Sequence, residues 1–524
     1  MSRVLAESLL AGIGISHACE DPLLIETHIS WVVLLGDFVY KIKKPVNLGF
    51  VDATTLASRK HFCEEELRLN RRTAPEIYLE VVSFCGDDKN PVVHPHEHDP
   101  DGVFEYAVVM KRFPQSAILR NLAEADKLNK PVITALADSI AEFHDNLEKI
   151  SHEYYGTPEQ VHTPVLENFE SLQQILPADR QNTIKFLKDW SQSEFARIKE
   201  KLIDRHQGGY VRECHGDLHL GNLLYLDNQC LAFDCVEFSQ ELLWIDTASD
   251  IAFTIMDLES HELHDLAHFF LNKYLELTGS YSSLAVLPYY LVYRAMVRAK
   301  IDAIRATQSP DEEAQSLNEC DHYLERAIKY SVMGGQGLIL MCGLSGSGKT
   351  TVATAIANAT SFIHIRSDVE RKRLFGLQTL ASSANHGINI YTEEAHKKTL
   401  EVLLDVTQRI LNSGFGVIVD ATLVHASWRD ALISLAERQQ LSWHIVFCDI
   451  DDETARARLA ARKRDASEAT FAQYINQKKS FDSFSETEKA HLVTVNNDNP
   501  ESVKDTITKL QGIFVPTKAS PDVV

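Results

Sequence analysis

Two loops in this chain demand two different scaffolds. GLSGSGKT at Gly343–Thr350 follows the apolar run LILMC and precedes the helical segment VATAIANA. Gly343, Gly346 and Gly348 let backbone N–H groups close around phosphate oxygens, and the helix turns its positive N-terminal end toward them. That is a P-loop in its strand–loop–helix setting. HGDLHLGN at His215–Asn222 is followed by a second apolar run, CLAF, ending at Asp234. This spacing suits a different device for handling nucleotide phosphate. Asp217 orients and deprotonates an incoming hydroxyl, while Asn222 and Asp234 hold magnesium. One domain cannot use both loops.

At 524 residues the chain is too long for a single ordinary core, and two or three domains are expected. No apolar run reaches the ~20 residues that span a bilayer. The opening MSRVLAESLLAGIG reads as an amphipathic helix rather than a signal peptide, so the chain is expected in the cytoplasm with no membrane partner. The nine cysteines are scattered without a CxxC pair, which points to core thiols rather than a zinc cluster or disulfide framework. The net charge of −22 disfavours broad binding to nucleic acid and suits small substrates.

Between residues 24 and 50 the pattern alternates, as in antiparallel strands turning at Gly36-Asp37, and a charged helix is expected over 56–73. FEYAVVMKRF at 104–113 reads as a buried strand. Helices dominate 129–206, broken at Pro164 and Pro177, and resume from about 259 to 330. Glycines at 334–337 then open a region of alternating strands and helices, including VIVDAT and HIVFCDI. The fold class is therefore two domains: an α+β bilobal kinase-like fold, then an α/β doubly wound P-loop kinase fold. The first covers 1–333, with a small lobe at about 20–113 and a helical large lobe at 114–330. The second covers 334–514, and 515–524 form a loose tail.

In the first half, FVYKIKKPV offers Lys41, Lys43 and Lys44 as the cation for the nucleotide, and strand alternation puts Lys41 and Lys43 on one face. Position after the hairpin selects Lys41. Its partner is sought in CEEELRLN among Glu64, Glu65 and Glu66, and Glu65 is chosen. His215 and His219 are expected to shape the loop, and Asp246 and Asp250 to brace it. His94, His96 and His98 read as a solvated hairpin loop rather than a metal site. HGDLHLGN with its downstream Asp234 resembles the aminoglycoside phosphotransferase family, whose pattern is HGDxxxxN. That resemblance covers roughly residues 20–330 and implies ATP, magnesium and transfer to a hydroxyl. No GxGxxG precedes Lys41, a departure from the pattern of protein kinases.

In the second half, Lys349 is placed to bridge the terminal phosphates and Thr350 to bind magnesium. Ser345, Ser347 and Thr351 complete the candidate nucleotide-binding set. IRSDVERKRLFG puts Asp368 and Arg371 on one helix face, as proton acceptor and anion holder. VIVDAT at 417–422 ends in Asp420 and Thr422, and Asp420 is a second candidate magnesium ligand. ARARLAARKRD supplies Arg458 and Arg462 as lid or substrate residues. The P-loop and RSDVERKRL resemble the P-loop kinase group that includes phage-type polynucleotide kinases, gluconate kinases and zeta toxins, over about 336–500. The order of the two halves resembles a family of bacterial fusions of an aminoglycoside-phosphotransferase-like domain with an ATP-binding domain.

These readings converge on a bifunctional ATP-dependent phosphotransferase acting on hydroxyls of small molecules. Two alternatives stand beside it. The P-loop half could phosphorylate 5′-hydroxyl ends of nucleic acid, or one half could be a regulatory ATP sensor for the other. Modification of protein side chains ranks below all three.

Overall fold

The computed structural model describes residues 2–17, 20–49, 51–95, 100–150, 154–332, 335–461 and 465–514. His96, His98, Gly334, Arg462 and the tail from 515 lie outside the described residues. By contact the chain divides into two compact units, Met1–Asn168 with Leu202–Glu262 and Phe169–Lys201 with Leu263–Val524. This division does not follow the sequence division near 334.

The first unit contains a six-stranded antiparallel sheet: β1 (Leu23–Glu26), β2 (Ser30–Leu35), β3 (Phe38–Lys43), β4 (Tyr78–Asp87), β5 (Asn90–Pro95) and β6 (Glu105–Lys111). Their order is β1-β2-β3-β6-β4-β5. Side chains alternate across a strand, so one sheet feeds two cores. Trp31, Val33, Leu35, Tyr40 and Ile42 pack with Leu5, Ala6 and Leu9 of the helix α1 (Ser2–Leu10). Leu34 and Val39 face the other way, toward Cys63 of the helix α2 (Leu56–Asn70). Lys41 and Lys43 share the Val39 face by the same alternation, which aims both ammoniums at α2. His94 belongs to β5, opposite Ser83, and is a strand residue rather than part of a hairpin loop.

Two short ladders frame the HGD loop. β7 (Val211–Glu213) pairs with β10 (Trp244–Asp246), and β8 (Leu223–Leu226) pairs with β9 (Gln229–Ala232). The loop runs from β7 to β8, and Asp234 follows β9. One sequence expectation fails here. Pro164 does not break the chain but lies inside the helix Pro158–Ile175. A proline there removes one backbone donor, at a cost of about 3 kcal/mol. Val165, Phe169 and Leu172, all buried on one face, hold the helix together across it.

The second unit is built on five parallel strands: β11 (Gly335–Cys342), β12 (Ile363–Arg366), β13 (Phe415–Asp420), β14 (Trp443–Asp449) and β15 (Leu492–Asn496). Their order is β12-β13-β11-β14-β15, with the P-loop strand at the centre. Ile339, Met341, Ile418 and Val446 of the sheet pack with Val352 and Ile356 of the helix Lys349–Thr360. Leu510 and Phe514 of the helix Pro500–Phe514 complete that core. Helices preceding residue 334 also belong to this unit. Asn272, on the helix His264–Thr278, accepts from the backbone N–H of His364 at 2.7 Å and donates to the carbonyl of Phe362 at 3.3 Å, which secures β12. Contacts of this kind explain why the compact unit begins well before the boundary glycines. No helix among the described residues is long and apolar enough to cross a membrane.

Candidate active sites

Lys41 Nζ donates to Glu66 Oε1 at 2.7 Å and also contacts the Asp234 carboxylate. The partner on α2 is therefore Glu66, not Glu65. Glu65 points outward and pairs with Arg68 at 2.7 Å. The reason is helical phase. Arg59, Cys63, Glu66 and Asn70 form the buried stripe of α2, and Glu65 lies off it. Lys43, left aside by the sequence choice, joins the same network. It donates to Glu66 Oε2 at 2.5 Å and to Glu237 Oε1 at 2.5 Å. Burial alone would lower the Lys41 ammonium, but Asp234 and Glu66 outweigh it and hold it well above its ordinary value. Burial likewise would raise the Asp234 carboxyl, and Lys41 overrides this to keep it below the usual carboxylate range.

The HGD loop is fixed from several sides. Gly216 has φ 83°, and a Cβ built there would meet the Leu242 carbonyl at 2.7 Å, so only glycine fits. Asp250 accepts from the backbone N–H groups of His215 at 3.1 Å and Gly216 at 3.0 Å, and contacts His144 at 3.1 Å. Burial would raise the Asp250 carboxyl, yet the His144 hydrogen bond and charge bring it below its ordinary value. Asp246 instead caps the helix Thr247–Ser260 and pairs with Arg205 at 2.7 Å. His215 meets the Phe233 carbonyl at 2.9 Å, and His219 accepts from the Gly221 N–H at 3.0 Å. Two anchors further down that helix were missed in the sequence. Asp257 accepts from the Leu220 N–H at 2.8 Å, and Thr254 donates to the Leu218 carbonyl at 2.6 Å. Within this frame Asn222 Nδ2 donates to the Asp217 carboxylate at 3.0 Å, which orients the amide so that its oxygen is the atom offered to a cation. Asp217, Asn222, Asp234 and Lys41 thus come from the loops and the sheet of one unit.

In the second unit the P-loop joins β11 to the helix Lys349–Thr360. Ser345, Gly346, Gly348, Lys349, Thr350 and Thr351 line a cavity of about 1380 Å³. Gly343 and Ser347 are not part of that lining and instead close the turn behind it, where Gly343 donates to the Thr422 carbonyl at 3.3 Å. Lys349 Nζ donates to the Leu344 carbonyl at 2.9 Å, within its own loop. Thr350 Oγ1 donates to Asp420 Oδ2 at 2.6 Å, joining the two candidate magnesium ligands. His364 contacts the same Asp420 oxygen at 3.3 Å. Burial would raise the Asp420 carboxyl, but His364, Lys349 and Arg366 hold it down at about 2. The donors on offer, Asn222 with Asp234 and Thr350 with Asp420, are all oxygens, the set that suits a hard cation such as magnesium.

Asp368 and Arg371 line the cavity and pair with each other at 2.5 Å, so the predicted shared helix face is present. Arg458 also lines it and contacts Asp498. Arg366 and Gln477 were not singled out by sequence. Arg366 lines the cavity and pairs with Asp465 at 2.8 Å, while Gln477 accepts from the Ser345 N–H at 2.9 Å. Arg366 opens the RSDVERKRL motif but was passed over for Asp368 and Arg371, whereas Gln477 carries no motif and only the folded chain brings it to the loop.

The two halves have a kinase-like fold and a P-loop kinase fold. Residues 338–484 match the family model described as an AAA domain. The chain is similar to an uncharacterized protein of Mycobacterium tuberculosis, 28% identical over 463 residues that span 85% of this chain and 87% of the relative. Among solved structures it is similar to a gluconokinase from Sinorhizobium meliloti, at 21% identity and TM-score 0.27, covering 35% of this chain and 95% of that one. It is also similar to a choline/ethanolamine kinase family protein from Mesorhizobium loti, at 11% identity and TM-score 0.39, covering 63% of this chain and 100% of that one.

Proposed function

We propose that the chain is a bifunctional ATP-dependent phosphotransferase of the cytoplasm that moves γ-phosphate to hydroxyls of small molecules, with a separate site in each half. The observation that carries this reading is that each half holds its own cation, candidate base and pair of oxygen donors. In the first, Lys41 binds the nucleotide phosphates, Glu66 holds Lys41 in place, and Asp217 accepts the proton of the attacking hydroxyl. In the second, Lys349 and the P-loop N–H groups hold the phosphates, Asp368 accepts the proton, and Arg371 and Arg458 steady the acceptor and transferring group. Magnesium, when bound by Asn222 and Asp234 or by Thr350 and Asp420, supplies neutralisation of phosphate charge. The eight cysteines among the described residues that are free and buried are in keeping with a cytoplasmic setting.

The test is transfer from γ-labelled ATP to a metabolite extract by wild type, Asp217→Asn and Lys349→Ala. Two sites predict that each substitution removes a different labelled product. If one substitution removes every product, the two-site reading is wrong and the other half is a regulator.

A further inference from the structure

We infer that the acceptor side of the P-loop cavity takes a small alcohol bearing a flat ring, of the nucleoside class, with the ring seated on Trp428. The inference rests on the phosphotransfer reading of this site and narrows its acceptor.

The cavity runs past Asp368 and Arg371 to a wall of rings drawn from two helix starts. Tyr391 precedes the helix Glu393–Asn412 and His396 lies in its first turn. His425 and Trp428 open the helix Ala426–Arg438. The rings form a continuous series beginning at the candidate base. The Arg371 guanidinium, paired with Asp368, lies 5.1 Å from the Tyr391 ring centroid. Tyr391 is 6.3 Å from His396, His396 is 6.3 Å from Trp428, and Trp428 is 5.7 Å from His425. Each ring is partly exposed. Leu400 and Val424 add aliphatic surface to the same wall.

Two of the polar tips on this wall are turned to other tasks. The Tyr391 hydroxyl accepts from the Glu468 N–H at 3.1 Å, and His425 faces Asp482 at 3.7 Å. Burial, then the charge of Arg371, holds the His396 imidazole below its ordinary value, which favours a neutral ring. What Tyr391, Trp428, Leu400 and Val424 offer an acceptor is mainly ring face and hydrocarbon. Such a surface gains from stacking on a planar group and offers little to a chain of hydroxyls. A free nucleoside and the 5′ end of an oligonucleotide share the required chemistry, a base beside a hydroxyl. The lining mixes cations such as Lys397 and Arg458 with carboxylates such as Glu393, and the net charge of −22 disfavours an extended run of phosphates, which favours the free compound.

The test uses the full chain carrying Asp217→Asn, so that only the P-loop site transfers phosphate. Acceptors are nucleosides, 5′-hydroxyl oligonucleotides, and ringless polyols and sugar acids. Nucleosides are expected to be labelled best. Adding Trp428→Ala should raise their KM about tenfold or more while kcat and the affinity for a fluorescent ATP analogue stay near those of the Asp217→Asn parent, and Trp428→Phe should restore most of the loss. Preference for a ringless acceptor, preference for the oligonucleotide, an unchanged KM in Trp428→Ala, or transfer to no ring-bearing acceptor overturns the inference. Labelling that survives Lys349→Ala would instead sink the phosphotransfer reading of the P-loop site itself.

Discussion

Lys43 and Glu237 form a buried ion pair at 2.5 Å that ties β3 to the segment just after Asp234. Because Lys43 also reaches Glu66, one glutamate on α2 receives two lysines from the same strand. Lys43→Met leaves Glu237 buried without its cation and Glu66 with only one. It should cost about 3–5 kcal/mol in denaturant unfolding, since breaking a buried pair strands a charge. The double variant Lys43→Met with Glu237→Gln should lose clearly less than the single one. A double loss equal to the sum of the losses of Lys43→Met and Glu237→Gln alone would show that the pair is not coupled.

Glu66 and Glu65 are neighbours with opposite expectations. Glu66→Gln should lower product formation by the first unit ~100-fold, because Lys41 loses the carboxylate that positions it. Glu65→Gln should stay within about twofold of wild type, as an exposed pair contributes little. Single-turnover assays on the product assigned to Asp217 separate the two.

Gly216→Ala places a Cβ against the Leu242 carbonyl and forces a left-handed backbone on alanine. A stability loss of about 1–3 kcal/mol is expected, together with loss of the Asp217-dependent product. The Lys349-dependent product should persist, and its disappearance would mean the damage is not local.

His444, on β14, gives a pH signature. Burial, then the charges of His491 and Lys509, push its imidazole down to about 4. The unfolded chain protonates near 6.5. The folded chain resists that proton, so the stability is complete above about pH 6.5 and is lost as pH falls toward 4. Unfolding free energies from denaturant curves between pH 7 and 4 should fall more steeply for wild type than for His444→Leu, by about 2 kcal/mol once the partial exposure of His444 is allowed for. Parallel curves would refute this.

The two loops were legible because their chemistry is contiguous: Gly343–Thr350 and His215–Asn222 each pack several functional atoms into a few residues. Partners drawn from distant segments were not. Glu237, His364 and Gln477 have ordinary neighbours in sequence and acquire a role only through strand pairing and helix packing. The choice of Glu65 over Glu66 failed for a more specific reason. Hydrophobic periodicity fixes the phase of a helix only when the buried face is apolar, whereas the buried residues of α2 include Arg59, Glu66 and Asn70. The spacing of Cys63, Glu66 and Asn70 carried the phase, but in polar letters. The fragmenting effect expected of Pro164 failed because local propensity yields to a buried stripe spanning it.

That polar stripe also changes what kind of joint α2 makes with its sheet. A greasy face tolerates a helix that rolls or slides by an ångström, because contact area hardly changes. Charged tips held at hydrogen-bond length do not, since a small roll would lift Glu66 from both lysines at once. The helix is keyed rather than cushioned, and any motion that displaces it must be registered at Lys41.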